Sequence, residues 1–214
     1  MSRIRTTVQR LYRPLSQRIA RHRIDDPHVS IISDDCWGGE YYRELGIPYL
    51  TPTIGLWINA PGYIDFICNL RDNLHAEICF TDSAYHFPFC RLNGVEIGFM
   101  HYKSQEETNA KWRRRCERVN PDRLFFKIDF GRPGFTMDDI ERWNEIALPN
   151  SIALVNEKFR GCRVHNGIHL PDWKLDGAKQ YAISKKYFSL ISWINHGEVR
   201  VNRLCPDLSL SEVR

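Results

Sequence analysis

The sequence holds no apolar run long enough to cross a bilayer, no low-complexity stretch, no internal repeat and no Cys-x-x-Cys pair. The first absence excludes a membrane-spanning helix, which needs about 20 apolar residues in succession. The next two leave a chain of 214 residues, 43% hydrophobic and 12% aromatic, able to bury one large core. Without a Cys-x-x-Cys pair there is no mark of a zinc site or dithiol centre. The seven cysteines (Cys36, Cys68, Cys79, Cys90, Cys116, Cys162 and Cys205) are odd in number and widely spread, which leads us to expect reduced, mostly buried thiols. The N-terminus lacks the apolar core and small-residue cleavage site of a secretory signal, so the expected location is cytoplasmic.

Acids are missing from residues 1 to 24, where Arg3, Arg5, Arg10, Arg13, Arg18, Arg21 and Arg23 lie. Those seven arginines give +7, so against the total of +4 the rest of the chain carries −3. The chain therefore divides into a basic arm, residues 1–23, and a single α/β domain, residues 24–214. In the arm Ile4, Val8, Leu11, Leu15 and Ile19 share one helical face while most arginines lie off it, with Pro14 interrupting. That is the pattern of a helix on an anionic membrane surface, at the inner face of the membrane; a helix docked on the domain with solvated arginines gives it equally. Nucleic acid is a poor partner for a domain that is net negative without its arm and shows no recognised motif.

Local chemistry predicts the elements. Val29 to Ile32 reads as a buried strand and Glu40 to Leu45 as a helix, which makes Asp34 to Gly39 the loop between them. Ile54 to Ile58 reads equally as a strand or a buried loop. A helix is expected from Pro61 to Leu74, then a strand in "AEICF", and a hairpin about Asn93-Gly94, a pair that tolerates positive φ at both positions. "SQEE" at Ser104 to Glu107 is a capping box opening a helix that ends near Arg118, with acids in its first turn and bases in its later ones. "RLFFKIDF" predicts a strand, "TMDDIERWNEIAL" a helix capped by Thr136, "SIALVN" a strand, and "AKQYAISKKYFSLISWINHG" one C-terminal helix stopped by Gly197. Alternating strands and helices imply a three-layer α/β fold, its mixed sheet mostly parallel with one antiparallel hairpin.

"SDDCWGGEYYRELGIPYLTPTIGLWI", "MHYKSQEETNAKWRRRCERVN" and "LFFKIDF" resemble the bacterial domain-of-unknown-function family nineteen-nineteen, whose members are often labelled exopolysaccharide biosynthesis proteins. The similarity runs from about Ile24 to Leu190. It implies an α/β fold and a role in making capsule, lipopolysaccharide or exopolysaccharide, without naming catalytic residues. Where this chain has Asp34 and Asp35, the family pattern commonly has an Asn at one of them.

In an open α/β sheet, a loop between a strand's carboxyl end and a helix N-terminus is where ligands bind. Asp34, Asp35, Cys36, Trp37, Gly38 and Gly39 are thus the first wall of an expected pocket, and His101, Lys103, Trp112 and Arg113 the second. For a glycosyl or glycan-modifying transferase, Asp34 and Asp35 would be catalytic, Gly38-Gly39 would bring amides to a phosphate, Lys103, Arg113 or Arg43 would supply charge, and Trp37 would stack on a sugar or base. The donor would be a nucleotide sugar or a lipid-linked glycan. No cofactor is fixed: a divalent metal could accompany a nucleotide sugar at Asp34 and Asp35, but adjacent acids point in different directions and the separated Asp-x-Asp arrangement is absent, so a metal-free site stays open. A second chemistry makes Cys36 a nucleophile at a helix N-terminus with His101 as its base; an inert, buried Cys36 fits the same position. His165, His169 and Asp172 have metal-like spacing, but Gly167 and Pro171 mark a loop in which that spacing loses its meaning. A non-catalytic glycan-binding or scaffold subunit of a membrane-bound polysaccharide assembly fits the same aromatics and arm.

Overall fold

A computed structural model describes residues 14–201 of the chain. Residues 1–13 of the basic arm, with Ile4, Val8 and Leu11, and Cys205 lie outside the described residues. In chain order the elements are α1 (14–22), β1 (Ser30–Ser33), α2 (Trp37–Leu45), β2 (Trp57–Ile58), α3 (Ala60–Cys68), α4 (Leu70–His75), β3 (Cys79–Phe80), β4 (Phe89–Leu92), β5 (Val95–Gly98) and α5 (Gln105–Cys116). There follow β6 (Leu124–Asp129), α6 (Met137–Ile146), β7 (Ser151–Val155), β8 (Gly167–His169), α7 (Gly177–Ser184) and α8 (Leu190–His196).

The α/β class is as expected, and the parallel and antiparallel strands lie in two sheets. Strands β1-β6-β7-β8 form a parallel sheet and β2-β5-β4-β3 an antiparallel one. Side chains alternate across each parallel strand. Ile32, Phe126, Ile128, Ala153 and Val155 enter one core with α3, α6 and the antiparallel sheet, while Ile31, Phe125, Ile152, Leu154 and Ile168 enter a second with α2, α7 and α8. Both faces are covered, so these strands read as continuous apolar runs. The sheets meet where the Ile58 amide of β2 donates to the Asp34 carbonyl just past β1, 2.9 Å away.

Elements set by local chemistry fall where expected. Asn93 and Gly94 turn the β4–β5 hairpin with φ of 48° and 87°. The Ser104 hydroxyl caps α5 through the Glu107 amide at 3.2 Å, and Thr136 and Asp139 form the capping box of α6. Three helix expectations are corrected, and the loop expected around Gly167 contains strand β8. Helix α2 begins at Trp37 rather than Glu40, because Asp35 Oδ1 accepts the Trp37 amide at 2.8 Å and starts the turn. The predicted Pro61–Leu74 helix is broken at Asn69, whose side chain and amide both donate to the Asp65 carbonyl. The predicted C-terminal helix is two, since Ser189 caps a new helix through the Ser192 amide and the neighbouring Phe188 bridges to Val201. No helix among the described residues is long and apolar enough to cross a membrane.

Candidate functional site

At the carboxyl ends of β1 and β6 the parallel sheet buries four ionisable groups, Asp34, Asp35, Lys127 and Asp129, with Arg132 partly exposed beside them. Lys127 sits opposite Ser33 in the β1–β6 register, on the face covered by α2 and α7. Its Nζ donates to Asp34 Oδ1 and to Asp35 Oδ1, 2.9 Å each, with all three side chains nearly or fully out of water. A buried ammonium is costly unless paired, so the two aspartates hold Lys127 in the core and Lys127 holds them. Asp34 Oδ2 accepts the Asp129 amide at 3.1 Å. Asp129 Oδ1 accepts from the Gly131 amide at 2.9 Å and Trp173 Nε1 at 2.7 Å. Arg132 donates to the Asp34 carbonyl at 3.0 Å and lies 3.8 Å from Asp35 Oδ2.

Three carboxyls against two cations cannot all be equally ionised. Burial pushes Asp35 up, but Lys127 and Arg132 outweigh it and hold the carboxyl below its ordinary range. Asp129 is pushed up to about 7, first by burial, with Asp34 and Asp35 adding and Lys127 opposing. One oxygen of each, Asp35 Oδ2 and Asp129 Oδ2, is buried without a hydrogen-bond partner. Among the described residues no three His, Cys, Asp or Glu side chains are grouped to hold a metal. The place between Asp34 and Asp35 is taken by the Lys127 ammonium.

Above the cluster opens a cleft of about 1270 Å³ between the two sheets. Asp35, Cys36, Gly39 and His101 line it, with Arg43, Arg132, Trp57 and Tyr85. Gly55 and Leu56 tie the walls together: the Cys36 thiol donates to the Leu56 carbonyl at 3.8 Å, the Gly55 carbonyl accepts the His101 amide at 3.1 Å, and the His101 side chain packs over Gly55.

The structure separates the other expected residues from this cleft. Trp37 is fully buried, edge-on to Tyr181 and Trp193 with Nε1 bonded to Ser184 Oγ at 3.0 Å, so it has no face for a sugar. Trp112 is likewise core, against Phe66 and Phe99. Lys103 and Arg113 are exposed and lie outside the lining; Arg113 reaches Glu77 at 3.5 Å. Gly38 sits in α2, where a Cβ would come within 3.1 Å of Ser33 Cβ and 3.2 Å of Ile31 Cγ2, so it serves close packing of helix on strand. The Gly39 amide donates to the Cys36 carbonyl and the Trp37 amide is capped by Asp35, so neither of these two amides is left for a phosphate. Cys36 lines the cleft, where burial, with Asp35 adding, pushes its thiol up to about 11, away from the thiolate a nucleophile needs. Asp34 lies beneath the cleft with both oxygens bonded, in a positioning role. His165 bonds the Leu148 carbonyl and His169 ends β8.

Lys127, Asp129, Arg132, Trp57 and Tyr85 escaped the reading of the sequence. For the first two a signal existed: "FFKIDF" places two charges at i and i+2, on one face of a strand otherwise apolar.

Residues 7–195 match the family described as Domain of unknown function (DUF1919), and the chain belongs to it. It is also similar to an uncharacterized protein of Haemophilus influenzae, 24% identical over 207 residues, covering 91% of this chain and 97% of that protein.

Proposed function

We propose that this member of the DUF1919 family is a cytoplasmic transferase of bacterial surface or exopolysaccharide biosynthesis, acting in the intersheet cleft on a nucleotide sugar or lipid-linked glycan. One observation carries the reading. The cleft opens at the carboxyl ends of β1 and β6, lined by two guanidinium groups and by Asp35, one of whose oxygens is buried and lacks a hydrogen bond. Ligands of open α/β sheets bind at strand ends. Its volume of about 1270 Å³ exceeds the roughly 300–1,000 Å³ of a single-ligand pocket, which suits a donor and an acceptor together. Arg43 and Arg132 offer the donors a diphosphate needs. Asp35, kept ionised by Lys127 and Arg132, accepts a sugar hydroxyl. In the transfer the acceptor oxygen bonds the anomeric carbon as the carbon–phosphate-oxygen bond breaks, the diphosphate leaves with the electron pair, and His101 takes the acceptor proton. The alternative, a glycan-binding or scaffold subunit without turnover, draws on the burial of Asp34 and the protonated thiol of Cys36, which leave little free nucleophile in the cleft.

The test is a thermal-shift screen against nucleotide sugars, nucleotides and free sugars, each with and without manganese, because a ligand selective for the native state raises its melting point. A shift with a nucleotide sugar that vanishes in Arg43→Ala supports the transferase; shifts with free sugars alone move the binding subunit ahead.

A peripheral place at the inner membrane rests on α1. Gln17 reaches the Arg43 carbonyl at 3.1 Å and Ala20 packs on the core, while Leu15 and Ile19 remain 56% and 57% exposed beside exposed Arg18 and Arg21. Apolar side chains flanked by cations suit an anionic lipid surface. Leu15→Glu with Ile19→Glu is expected to abolish sedimentation with anionic vesicles at low salt; unchanged sedimentation overturns that placement.

A further inference from the structure

The antiparallel sheet presents aromatic rings to the cleft that the charged wall does not use. Trp57 of β2 pairs with Gly98 of β5, and Phe89 of β4 pairs with the same Gly98 from the other side. A Cβ on Gly98 would fall 2.4 Å from Trp57 Cε2, so the indole lies across the bare Cα and reaches Phe89, with ring centres 5.9 Å apart. Only glycine permits this. Tyr85 then stands nearly perpendicular to the indole, 6.0 Å away at 77°, braced by stacking on Phe87 at 4.9 Å and 13°. The result is a corner with a flat floor and an upright side. Both rings line the cleft, and Tyr85 is 51% exposed. Asn59 lines the same cleft; its Oδ1, turned against Gly62 of α3, is buried without a hydrogen-bond partner, which leaves its amide nitrogen for a ligand.

We infer that Trp57 and Tyr85 form a pyranose-binding subsite, which stacks the acceptor sugar against the indole and offers its rim hydroxyls to Asn59 and His101. A pyranose chair has one face of C–H groups and a rim of hydroxyls. An aromatic floor beside polar groups with free hydrogen-bonding capacity is complementary to both. Exposed rings gathered at a cleft are otherwise a liability in water. The charged wall, with Arg43 and Arg132, remains for the donor, so the acceptor hydroxyl arrives from the side that carries His101. The word acceptor rests on the transferase reading; the subsite itself does not.

The experiment is saturation-transfer NMR on the full chain with methyl β-D-glucopyranoside, methyl β-D-galactopyranoside and methyl N-acetyl-β-D-glucosaminide as probes and uridine as competitor. The expected result is transfer to the C–H protons of one sugar face and no displacement by uridine. Trp57→Ala weakens binding about ten-fold, while Trp57→Phe retains most of it. Tyr85→Ala, at an exposed position, repeats the loss in a fold that keeps its melting point. Absence of transfer to all three glycosides, transfer unchanged in both alanine variants, or displacement by uridine each overturns the subsite. Nucleotide sugars added to the same samples separate the two readings. A nucleotide-sugar shift without glycoside binding leaves the transferase and removes the subsite. Glycoside binding without any nucleotide-sugar shift leaves the subsite and removes the transferase.

Discussion

The two walls of the cleft solve opposite problems. The parallel-sheet wall buries ions: Lys127, Asp34 and Asp35 are held by one another where water does not reach. The antiparallel-sheet wall does the reverse and leaves the aromatic Tyr85 half in water. Charge inside and rings outside is an inversion of ordinary burial, and each wall keeps it through close local partners: ion pairs on one side, Gly98 under the indole on the other. The contrast implies that mutation of the buried ions will be read as stability and mutation of the exposed rings as binding.

Removing the cation should have the largest effect. Lys127→Met leaves buried carboxylates uncompensated and is expected to cost about 3–5 kcal/mol in urea unfolding. A loss under about 1 kcal/mol would show that the ion pairs do not hold this wall. The two tryptophans sharpen the comparison next. Trp37→Ala empties a fully buried site and should cost about 3–5 kcal/mol, whereas Trp57→Ala, at a half-buried one, should cost clearly less. Equal costs would make Trp57 a core residue and not a platform.

A pH-dependent difference marks Asp129. Its folded value of about 7, against an ordinary 3.8, means that the folded state binds the proton more tightly than the unfolded one. The stability this group contributes is complete below about 4 and is lost as pH rises through about 7, by at most ~1.4 kcal/mol per pH unit. Asp129→Asn cannot ionise, so wild type should lose stability relative to this variant between pH 4 and 7 and run parallel to it above. A flat difference across that window contradicts the assignment. Smallest of all, Tyr85→Ala should stay within about 0.5 kcal/mol of wild type in the same unfolding assay.

What was legible in the sequence was local. The Asn93-Gly94 turn, the Ser104 and Thr136 caps and strands β1, β6 and β7 depend on residues within a few positions of one another, whereas β8, expected as a loop, forms only beside β7. Trp37 and Trp112 looked like ligand platforms because an indole in a loop and one in a core have the same neighbours in sequence; only the packing of Tyr181 and Trp193 around Trp37 tells them apart. The charged cluster joins Lys127 to aspartates more than ninety residues away, beyond any local pattern. The aromatic corner was hidden for the same reason, since Gly98 reads as a strand end until β2 is laid beside it.

The most direct test of a cleft with a charged donor wall and an aromatic acceptor wall is to titrate a nucleotide sugar into protein already saturated with a methyl glycoside, following both by NMR. Both are expected to stay bound together, the nucleotide signals failing in Arg43→Ala and the glycoside signals in Trp57→Ala. Mutual displacement, or no nucleotide-sugar binding at all, would contradict that division of the cleft.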